Sequence, residues 1–329
     1  MESLPYHPPV NIGDGATVGG GYADGPAGAT GPAGPGAVLY NRAGMVPWFA
    51  ALAKRTSAQA RAVCVGDSIT IGLGLTDVRK SWTYLLKQRL RAKYGLTNVA
   101  DGYVHAAPDL LSSTPTLSYN PAAGAGIISL DKWGLGERSA LLVTSGHYVE
   151  WAARPYTSFR VWYGHWNNFF AGNLRVLVNG VDQGENHSGV GSDASRFSTL
   201  FPGSPYPGNQ AIRLQVQTAD LGTYIEGVEF FDGDHASGIH TYNHAQSGWQ
   251  CTNFTDANAD VAWGAVTALA PQLVVVALGT NDMSVNEPSV GLANLDTLLT
   301  KIDAKVTGPH TTLLVGMYRA TNIDPARMD

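Results

Sequence analysis

Two short polar segments of this chain carry residue types that acyl-transfer chemistry needs, and each follows an apolar run. Gly-Asp-Ser at 66–68 follows the apolar residues 62–65, and Gly-Thr-Asn-Asp at 279–282 follows the apolar residues 273–278. A serine hydroxyl is a weak nucleophile until a neighbouring base takes its proton and preorganised donors hold the oxyanion. Ser68 is therefore a candidate nucleophile, and the second segment offers polar groups suited to the same chemistry.

The two apolar runs predict strands, and a sheet built from them would bring the polar segments together. Short apolar runs that end in glycine are typical of parallel strands buried on both faces. The carboxyl ends of such strands meet at one edge of the sheet, where ligands bind in open α/β folds. Further elements of the predicted α/β domain are helices at 46–59, 81–93, 256–269 and 289–305 and a strand at 312–317.

The helix predicted at 81–93 has an amphipathic pattern. Its large apolar residues recur at helical spacing and predict the inner face: Trp82, Leu85, Leu86 and Leu90. The same period places the basic residues Lys87, Arg89 and Arg91 on the opposite face. We therefore expect these three cations to be solvated.

The sequence changes character between about 105 and 233, where short alternating runs replace helical patterns. Candidate strands lie at 174–178, 212–216 and 224–231, and Asn-Gly at 179–180 follows the first of them. Asn-Gly between two alternating runs is a strong signal for a two-residue hairpin. This block predicts an antiparallel β-sandwich inserted into the α/β domain.

Three segments in this order resemble the sequence blocks of the SGNH (GDSL-type) hydrolase superfamily. Residues 66–68 and 279–282 are similar to its first and third blocks, and Asn-His-Ala-Gln-Ser-Gly-Trp at 243–249 is similar to its second, a glycine just beyond a strand. The resemblance covers residues 60–104 and 234–319. It implies a three-layer α/β/α domain with a parallel sheet, and a serine esterase that works through an acyl-enzyme.

The resemblance also implies roles for single residues. Ser68 would be the nucleophile, and the backbone N–H groups of Ser68 and Gly248 with the side-chain amide of Asn281 would form the oxyanion hole. Asp67 and Asp282 are expected to hold their loops by accepting backbone N–H groups. The implied substrate is a small acyl group, chiefly O-acetyl, on a polysaccharide, and no cofactor or metal is implied.

The catalytic base is the part of the family pattern that this chain lacks. The family takes its base from an Asp-x-x-His block near the C-terminus of the domain, and no such block follows Asn281. We expect the sequence to end before that block. A degenerate hydrolase and a histidine supplied from upstream of Gly248 are the other interpretations, and the candidates for that histidine are His235, His240 and His244. Three histidines within 235–244 lack the cysteine or carboxylate partners of a metal site, so packing at the junction with the sandwich is the competing interpretation.

The predicted sandwich contains a dense group of aromatic residues, for which two interpretations stay open. The rings could form the sandwich core, as the alternation around residues 159–163 favours, or a platform that stacks on sugar rings. Trp162 and the polar sequence at 165–168 favour partial exposure. The group comprises Trp151, Tyr156, Phe159, Trp162, Tyr163, Trp166, Phe169 and Phe170.

The N-terminal segment differs from the rest of the chain in composition. Residues 11–36 are rich in glycine, and from Gly25 glycine occupies every third position for four triplets. That spacing is what a collagen triple helix requires, although a flexible linker has the same composition. A collagen-like piece would favour a homotrimer and a phage tail or fibre protein. The predicted domains are the tail, 1–44, the α/β domain, 45–104 with 234–329, and the sandwich, 105–233.

Composition and charge exclude several other classes of protein. The net charge is −5 and charged residues are 14% of the 329, with no basic cluster that could follow a nucleic-acid backbone. Two cysteines are too few for a disulfide framework. The N-terminus lacks the basic and apolar regions of a secretory signal, and no apolar stretch reaches membrane-spanning length. We expect a virion-associated or otherwise soluble esterase. A non-catalytic glycan-binding tail protein is the alternative.

Overall fold

The computed structural model of the protein describes a large part of the chain beyond the glycine-rich segment. The described residues are 42–73, 75, 78–98, 100–106, 117–120, 127–130, 134–137, 139–165, 173–188, 194–197, 200–201, 209–217 and 223–316. The collagen-like triplets and the predicted trimer contact therefore lie outside the described residues. The described residues from 47 onward form one compact unit. Within the described ranges, no helix has the length and apolar character that crossing a bilayer requires.

The regular elements follow the predicted order of an α/β domain interrupted by strands. The helices are α1 (Val46–Ala53), α2 (Ser68–Ile71), α3 (Trp82–Lys93), α4 (Cys251–Thr255), α5 (Asp260–Leu269), α6 (Thr280–Val285) and α7 (Pro288–Lys305). Short 3₁₀ turns lie at Arg42–Met45, Val78–Lys80, Leu135–Glu137 and Ala257–Ala259. The strands are β1 (Ala60–Gly66), β2 (Gly102–His105), β3 (Leu117–Asn120), β4 (Ile127–Leu130), β5 (Ser139–Leu142), β6 (Tyr148–Arg154), β7 (Ser158–His165), β8 (Asn173–Val178), β9 (Val181–Ser188), β10 (Ala194–Phe197), β11 (Gln210–Val216), β12 (Thr223–Phe231), β13 (Ile239–Ala245), β14 (Leu273–Ala277) and β15 (Thr311–Leu314).

Four parallel strands form the sheet of the α/β domain, in the order β13-β1-β14-β15. Strand β1 is central, and its last residue, Gly66, pairs with Ala245 of β13 and with Ala277 of β14. The three strands therefore end level with one another. The loops that follow them share one edge of the sheet, as the sequence predicted.

Helices cover both faces of this sheet and make the domain three-layered. On one face Val65 of β1 packs in a single apolar cluster with Trp263 of α5 and Leu298 of α7. On the other face the Arg91 guanidinium of α3 donates from Nε to the carbonyl of Ile239, at 3.1 Å. Because side chains alternate along a strand, each strand of the sheet supplies both interfaces.

The insertion is a sandwich of two antiparallel sheets. One sheet has the order β10-β7-β12-β5-β4, with β2 also paired to β12, and the other has the order β3-β6-β11-β8-β9. Their facing side chains form one buried cluster, which includes Trp151, Phe159 and Ile212. The hairpin predicted at Asn179-Gly180 joins β8 to β9, and both residues have the positive φ (47° and 81°) that a type I′ turn requires.

Strand β12 shows that the sandwich also packs tightly on the α/β domain. All nine of its residues are buried, so both faces of the strand are covered. Trp162 of the neighbouring β7 points away from the sandwich core and belongs to the apolar cluster of Trp263. It is 1% exposed, so the expected partial exposure of Trp162 is wrong.

The other aromatic residues of this group that the structure describes are interior or nearly so. Trp151, Tyr156 and Phe159 are buried and Tyr163 is partly buried, which favours a core role over a sugar platform for these four. The remaining members of the group, Trp166, Phe169 and Phe170, lie outside the described residues.

Helix α3 buries two of the three cations that were expected to be solvated, whereas the third, Arg89, is exposed as expected. Lys87 and Arg91 are 3% and 1% exposed, whereas Leu85 is 44% exposed, so the predicted inner face is wrong. Arg91 forms an ion pair with the buried Asp234 at 2.7 Å, and Lys87 donates to the carbonyl of Asp101. These polar partners satisfy the cations and make their burial tolerable.

Candidate active site

Ser68 lies at the start of a single helical turn directly after β1. Asp67 caps this turn, because its carboxylate accepts the N–H of Ile69 at 2.9 Å. Gly72, with φ 89°, ends it. A Cβ on Gly66 would lie 2.0 Å from Thr70 Oγ1, so only glycine fits below the turn. The turn therefore fixes the backbone of Ser68, whose side chain is half-buried.

Gly248 lies on the loop that follows β13. Gln246 at the start of this loop donates its N–H to the carbonyl of Gly66, at 3.1 Å, which ties the loop to the end of β1. Gly248 is exposed and has φ +77°, a conformation that favours glycine. Gly248 thus lies on a loop that is held next to the end of β1.

Asn281 and Asp282 connect the loop after β14 to the Gly248 loop. The Asn281 amide donates from Nδ2 to the carbonyl of Trp249 at 2.9 Å. Asp282 accepts the N–H of Cys251 at 3.0 Å and 3.3 Å, with one contact to each carboxylate oxygen. The expected role of Asp282 and of Asp67 as acceptors of backbone N–H groups is confirmed. These specific partners could not be predicted from the sequence, because they depend on three-dimensional contacts between two segments that are distant along the chain.

Two buried carboxyl groups flank this edge of the sheet. Desolvation raises the pKa of Asp67, and the nearby charge of Asp282 adds to the increase. Desolvation likewise raises the pKa of Asp282, although the N–H and thiol of Cys251 oppose the shift. The thiol of Cys251 has a pKa raised to about 12, chiefly by burial, so it is present as the neutral thiol. Desolvation therefore disfavours the ionised form of both carboxyl groups.

His240 lies far from Ser68. It pairs with Arg61 of β1, five residues before Gly66, which at about 3.3 Å per residue is about 16 Å along the strand. The ring is 2% exposed and its Nε2 lies 2.8 Å from the carbonyl of Ser237. Burial lowers the pKa of His240. The structure does not bring His240 to Ser68.

His244 lies close to the site along the strand but on the other face of the sheet. Its neighbour Asn243 points towards α2 and donates to the carbonyl of Thr70, at 3.0 Å, so His244 points the opposite way. There its ring packs against Phe254 and Trp263, with centroids 5.4 and 5.0 Å away. The His244 ring is fully buried.

The tautomer of His244 follows from one hydrogen bond. The N–H of Gly136, in the 3₁₀ turn contributed by the insertion, donates to His244 Nδ1 at 2.8 Å. A ring nitrogen that accepts carries no hydrogen, so in the neutral ring the proton is on Nε2. The nitrogen that could act as a base is therefore already engaged.

The histidine that follows Asn281 in the sequence, His310, lies at the opposite edge of the sheet, where β15 begins. His310 precedes β15 and its Nε2 lies 3.1 Å from the Asp303 carboxylate. Among the residues that the structure describes, no histidine forms a hydrogen bond with the Ser68 hydroxyl. In the same part of the chain, no three His, Cys, Asp or Glu side chains are grouped so that they could hold a metal ion.

Solved structures with a similar fold include ester hydrolases. One is described as a peptidoglycan O-acetylesterase in action, with a TM-score of 0.57 and 18% identity over 82% of this chain and 71% of that chain. A family two carbohydrate esterase from Clostridium thermocellum in complex with cellohexaose gives 0.24 and 15%, over 58% of this chain and 77% of that chain. A two-domain esterase active on acetylated mannans gives 0.31 and 8%, over 44% and 37%.

The comparison with the peptidoglycan O-acetylesterase structure supports the fold of the chain. No family model matches the sequence, and no curated protein matches it. The likeness to the peptidoglycan O-acetylesterase structure spans both the parallel sheet and the inserted strands, since it covers 82% of this chain. A three-layer α/β/α domain with a parallel sheet and an inserted antiparallel β-sandwich is therefore the architecture of this protein, as predicted. The two matches with TM-scores below 0.5 support no further conclusion.

Proposed function

We propose that this protein is an SGNH-type serine esterase that removes small acyl groups from a polysaccharide. The observation that carries the proposal is the level ending of β13, β1 and β14. The segments that follow these strands carry Gly248, Ser68 and Asn281 and therefore begin at one edge of the sheet. Hydrogen bonds between these loops, from Gln246 to Gly66 and from Asn281 to Trp249, support a single preorganised site.

The proposed reaction proceeds through an acyl-enzyme. Ser68 Oγ attacks the ester carbonyl carbon, and the carbonyl electron pair moves to oxygen to form a tetrahedral oxyanion. The N–H groups of Ser68 and Gly248 and the Asn281 amide hold that oxyanion. An amide nitrogen carries two hydrogens, so its bond to Trp249 leaves the second for the substrate. Collapse breaks the ester C–O bond, the sugar oxygen takes a proton, and water then releases the acid and Ser68.

The base that takes the Ser68 proton is left unassigned. We assign it neither to His240, which lies about five residues down the strand from the site, nor to His244, whose Nδ1 accepts the N–H of Gly136. The proposal for the substrate is an O-acetyl ester. It rests on the fold shared with a peptidoglycan O-acetylesterase and on the site residues above.

The test is acetate release by the full chain, from p-nitrophenyl acetate and from an O-acetylated polysaccharide. We expect Ser68→Ala to lower kcat/KM about 100-fold or more, because the nucleophile is lost. Ser57→Ala is the matched control, since Ser57 is exposed and its hydroxyl bonds only the nearby Lys54 carbonyl. Equal background rates for the wild type and Ser68→Ala would reject catalysis by this chain.

A non-catalytic glycan-binding protein on the same fold is the second candidate. The observation that favours it is that both histidines proposed as bases pack in the interior, His240 at 2% exposure and His244 at 0%. Affinity electrophoresis through an acetylated polysaccharide distinguishes the two functions. Retardation that Ser68→Ala leaves unchanged, with no acetate released by the wild type, would favour binding alone.

A further inference from the structure

We propose that Asp282 is a positioning residue that sets the Gly248 N–H of the oxyanion hole by holding the start of α4. This inference rests on the proposed function. Asp282 is 2% exposed and lies beside Asn281 in the first turn of α6. The hydrogen-bond partner of its carboxylate lies outside α6. The carboxylate accepts the N–H of Cys251, on a different helix, at 3.0 and 3.3 Å.

The hydrogen bond from the N–H of Cys251 to Asp282 caps the start of α4 with a side chain that belongs to another helix. The first N–H groups of any helix have no partner within it, and a side chain just before the helix usually supplies one. In α4, the N–H of Gln250 is taken by Asn253 and that of Cys251 by Asp282. The start of α4 is therefore fixed relative to α6, which also carries Asn281.

Gly248 lies three residues before this fixed point and has no side chain of its own to hold it. Its loop is attached at Gln246 to the carbonyl of Gly66, and at Trp249 to the Asn281 amide. Asp282 supplies the third attachment. Since a donor stabilises an oxyanion only within a few tenths of an ångström of its ideal position, loss of one attachment lowers the rate of the chemical step.

The required property of Asp282 is its acceptor oxygen and not its charge. The charge of Asp282 contributes to the raised pKa of a second carboxyl group, Asp67, so the two groups lie close together, and an oxyanion forming nearby would be repelled by negative charge on either. An asparagine keeps the acceptor and removes the charge. The positioning role therefore predicts that Asp282→Asn keeps the activity and that Asp282→Ala loses it.

The experiment measures kcat and KM for p-nitrophenyl acetate with the full chain. We expect Asp282→Ala to lower kcat about 10- to 100-fold with little change in KM, and Asp282→Asn to stay within about threefold of the wild type. Asp260→Ala is the control, because Asp260 is a half-exposed acid paired with Lys301 and Lys305. An unchanged kcat in Asp282→Ala, or equal losses in both Asp282 variants, would overturn the proposal.

A second pair of variants tests the same bond from its donor side and does not need Asp282→Ala to fold. Cys251→Pro removes the N–H at the first position of α4, where proline is favoured, and Gln250 already has extended backbone (φ −113°, ψ 172°) compatible with a following proline. Cys251→Ala keeps the N–H. We expect the proline variant to lose kcat and the alanine variant to keep it, and equal rates for the two would contradict the role.

Hydrogen exchange separates failure of this inference from failure of the proposed function. In the peptide that contains residues 246–252, exchange should accelerate in Asp282→Ala and Cys251→Pro but not in Asp282→Asn or Cys251→Ala. If the wild type releases no acetate, the esterase proposal fails and exchange alone decides the role of Asp282. Unchanged exchange in all four variants would reject the attachment.

Discussion

Single residues at this site are constrained by contacts that the sequence pattern does not reveal. Gly66 is part of the Gly-Asp-Ser segment, but the reason for glycine is the hydroxyl of Thr70, 2.0 Å from where a Cβ would lie. The helical turn of Ser68–Ile71 is thus packed directly on the end of β1. The resemblance to a hydrolase superfamily implied Ser68, Gly248 and Asn281 as a group. It could not exclude His244, because the hydrogen bond from Gly136 comes from a distant part of the chain.

Replacing Gly66 tests this packing. We expect Gly66→Ala to lower the free energy of unfolding by about 1–3 kcal/mol, because Thr70 is fully buried and has no room to move. The control is Gly291→Ala on α7, where an added Cβ meets nothing within 4 Å and should stabilise the helix by about 0.5–1 kcal/mol. Urea denaturation measures both. Equal midpoints for Gly66→Ala and the wild type would contradict the packing argument.

Whole elements were easier to predict than the faces that they bury. The strands and helices of the α/β domain occur in the predicted order, and α3 begins within one residue of its expected start, with Ser81 as its cap. The face of α3 was wrong because apolar periodicity assumes that cations stay in water. Arg91 instead finds Asp234, which follows β12 and is 143 residues away in sequence. Only tertiary structure supplies such partners.

Lys87 on α3 gives this burial a measurable consequence. Desolvation is the main cause that lowers its pKa to about 7, so between about pH 7 and 10.5 the folded protein binds fewer protons than the unfolded chain. The free energy of unfolding therefore rises with pH in that window. We expect Lys87→Met to flatten the dependence between pH 7 and 9 and to be more stable than the wild type at pH 7, by on the order of 1 kcal/mol or more.

Lys93→Met is the control for this change, because Lys93 is exposed at the end of the same helix. Its unfolding free energy should follow the wild-type pH dependence. Denaturant titrations at several pH values compare the three proteins. Parallel curves for Lys87→Met and the wild type would show that the lysine keeps its charge in the folded state.

At the scale of the whole molecule, the insertion and the α/β domain share one interior. Glu229 of β12 is fully buried and accepts from Arg160 of β7 at 2.9 Å and from Tyr242 of β13 at 2.6 Å. The first partner belongs to the sandwich and the second to the parallel sheet. Alternating patterns predicted the sandwich as a unit, but they could not show that its outer face is buried, because Trp162 and Glu229 fit a solvated face equally well.

This shared interior predicts that the two parts unfold together. Hydrogen exchange at increasing denaturant should show that β6 and β11 of the sandwich lose protection at the same concentration as β1 and β14 of the parallel sheet.

Tyr242→Phe removes one of the bonds to the buried Glu229, so we expect it to destabilise both parts equally, by about 1–3 kcal/mol. Tyr148→Phe is the control, because Tyr148 stacks under Arg213 on the outer face of the second sheet and its ring is retained. Earlier exchange in the sandwich alone would mean that the Glu229 contacts do not couple the two parts, and the insertion would then be an independent folding unit.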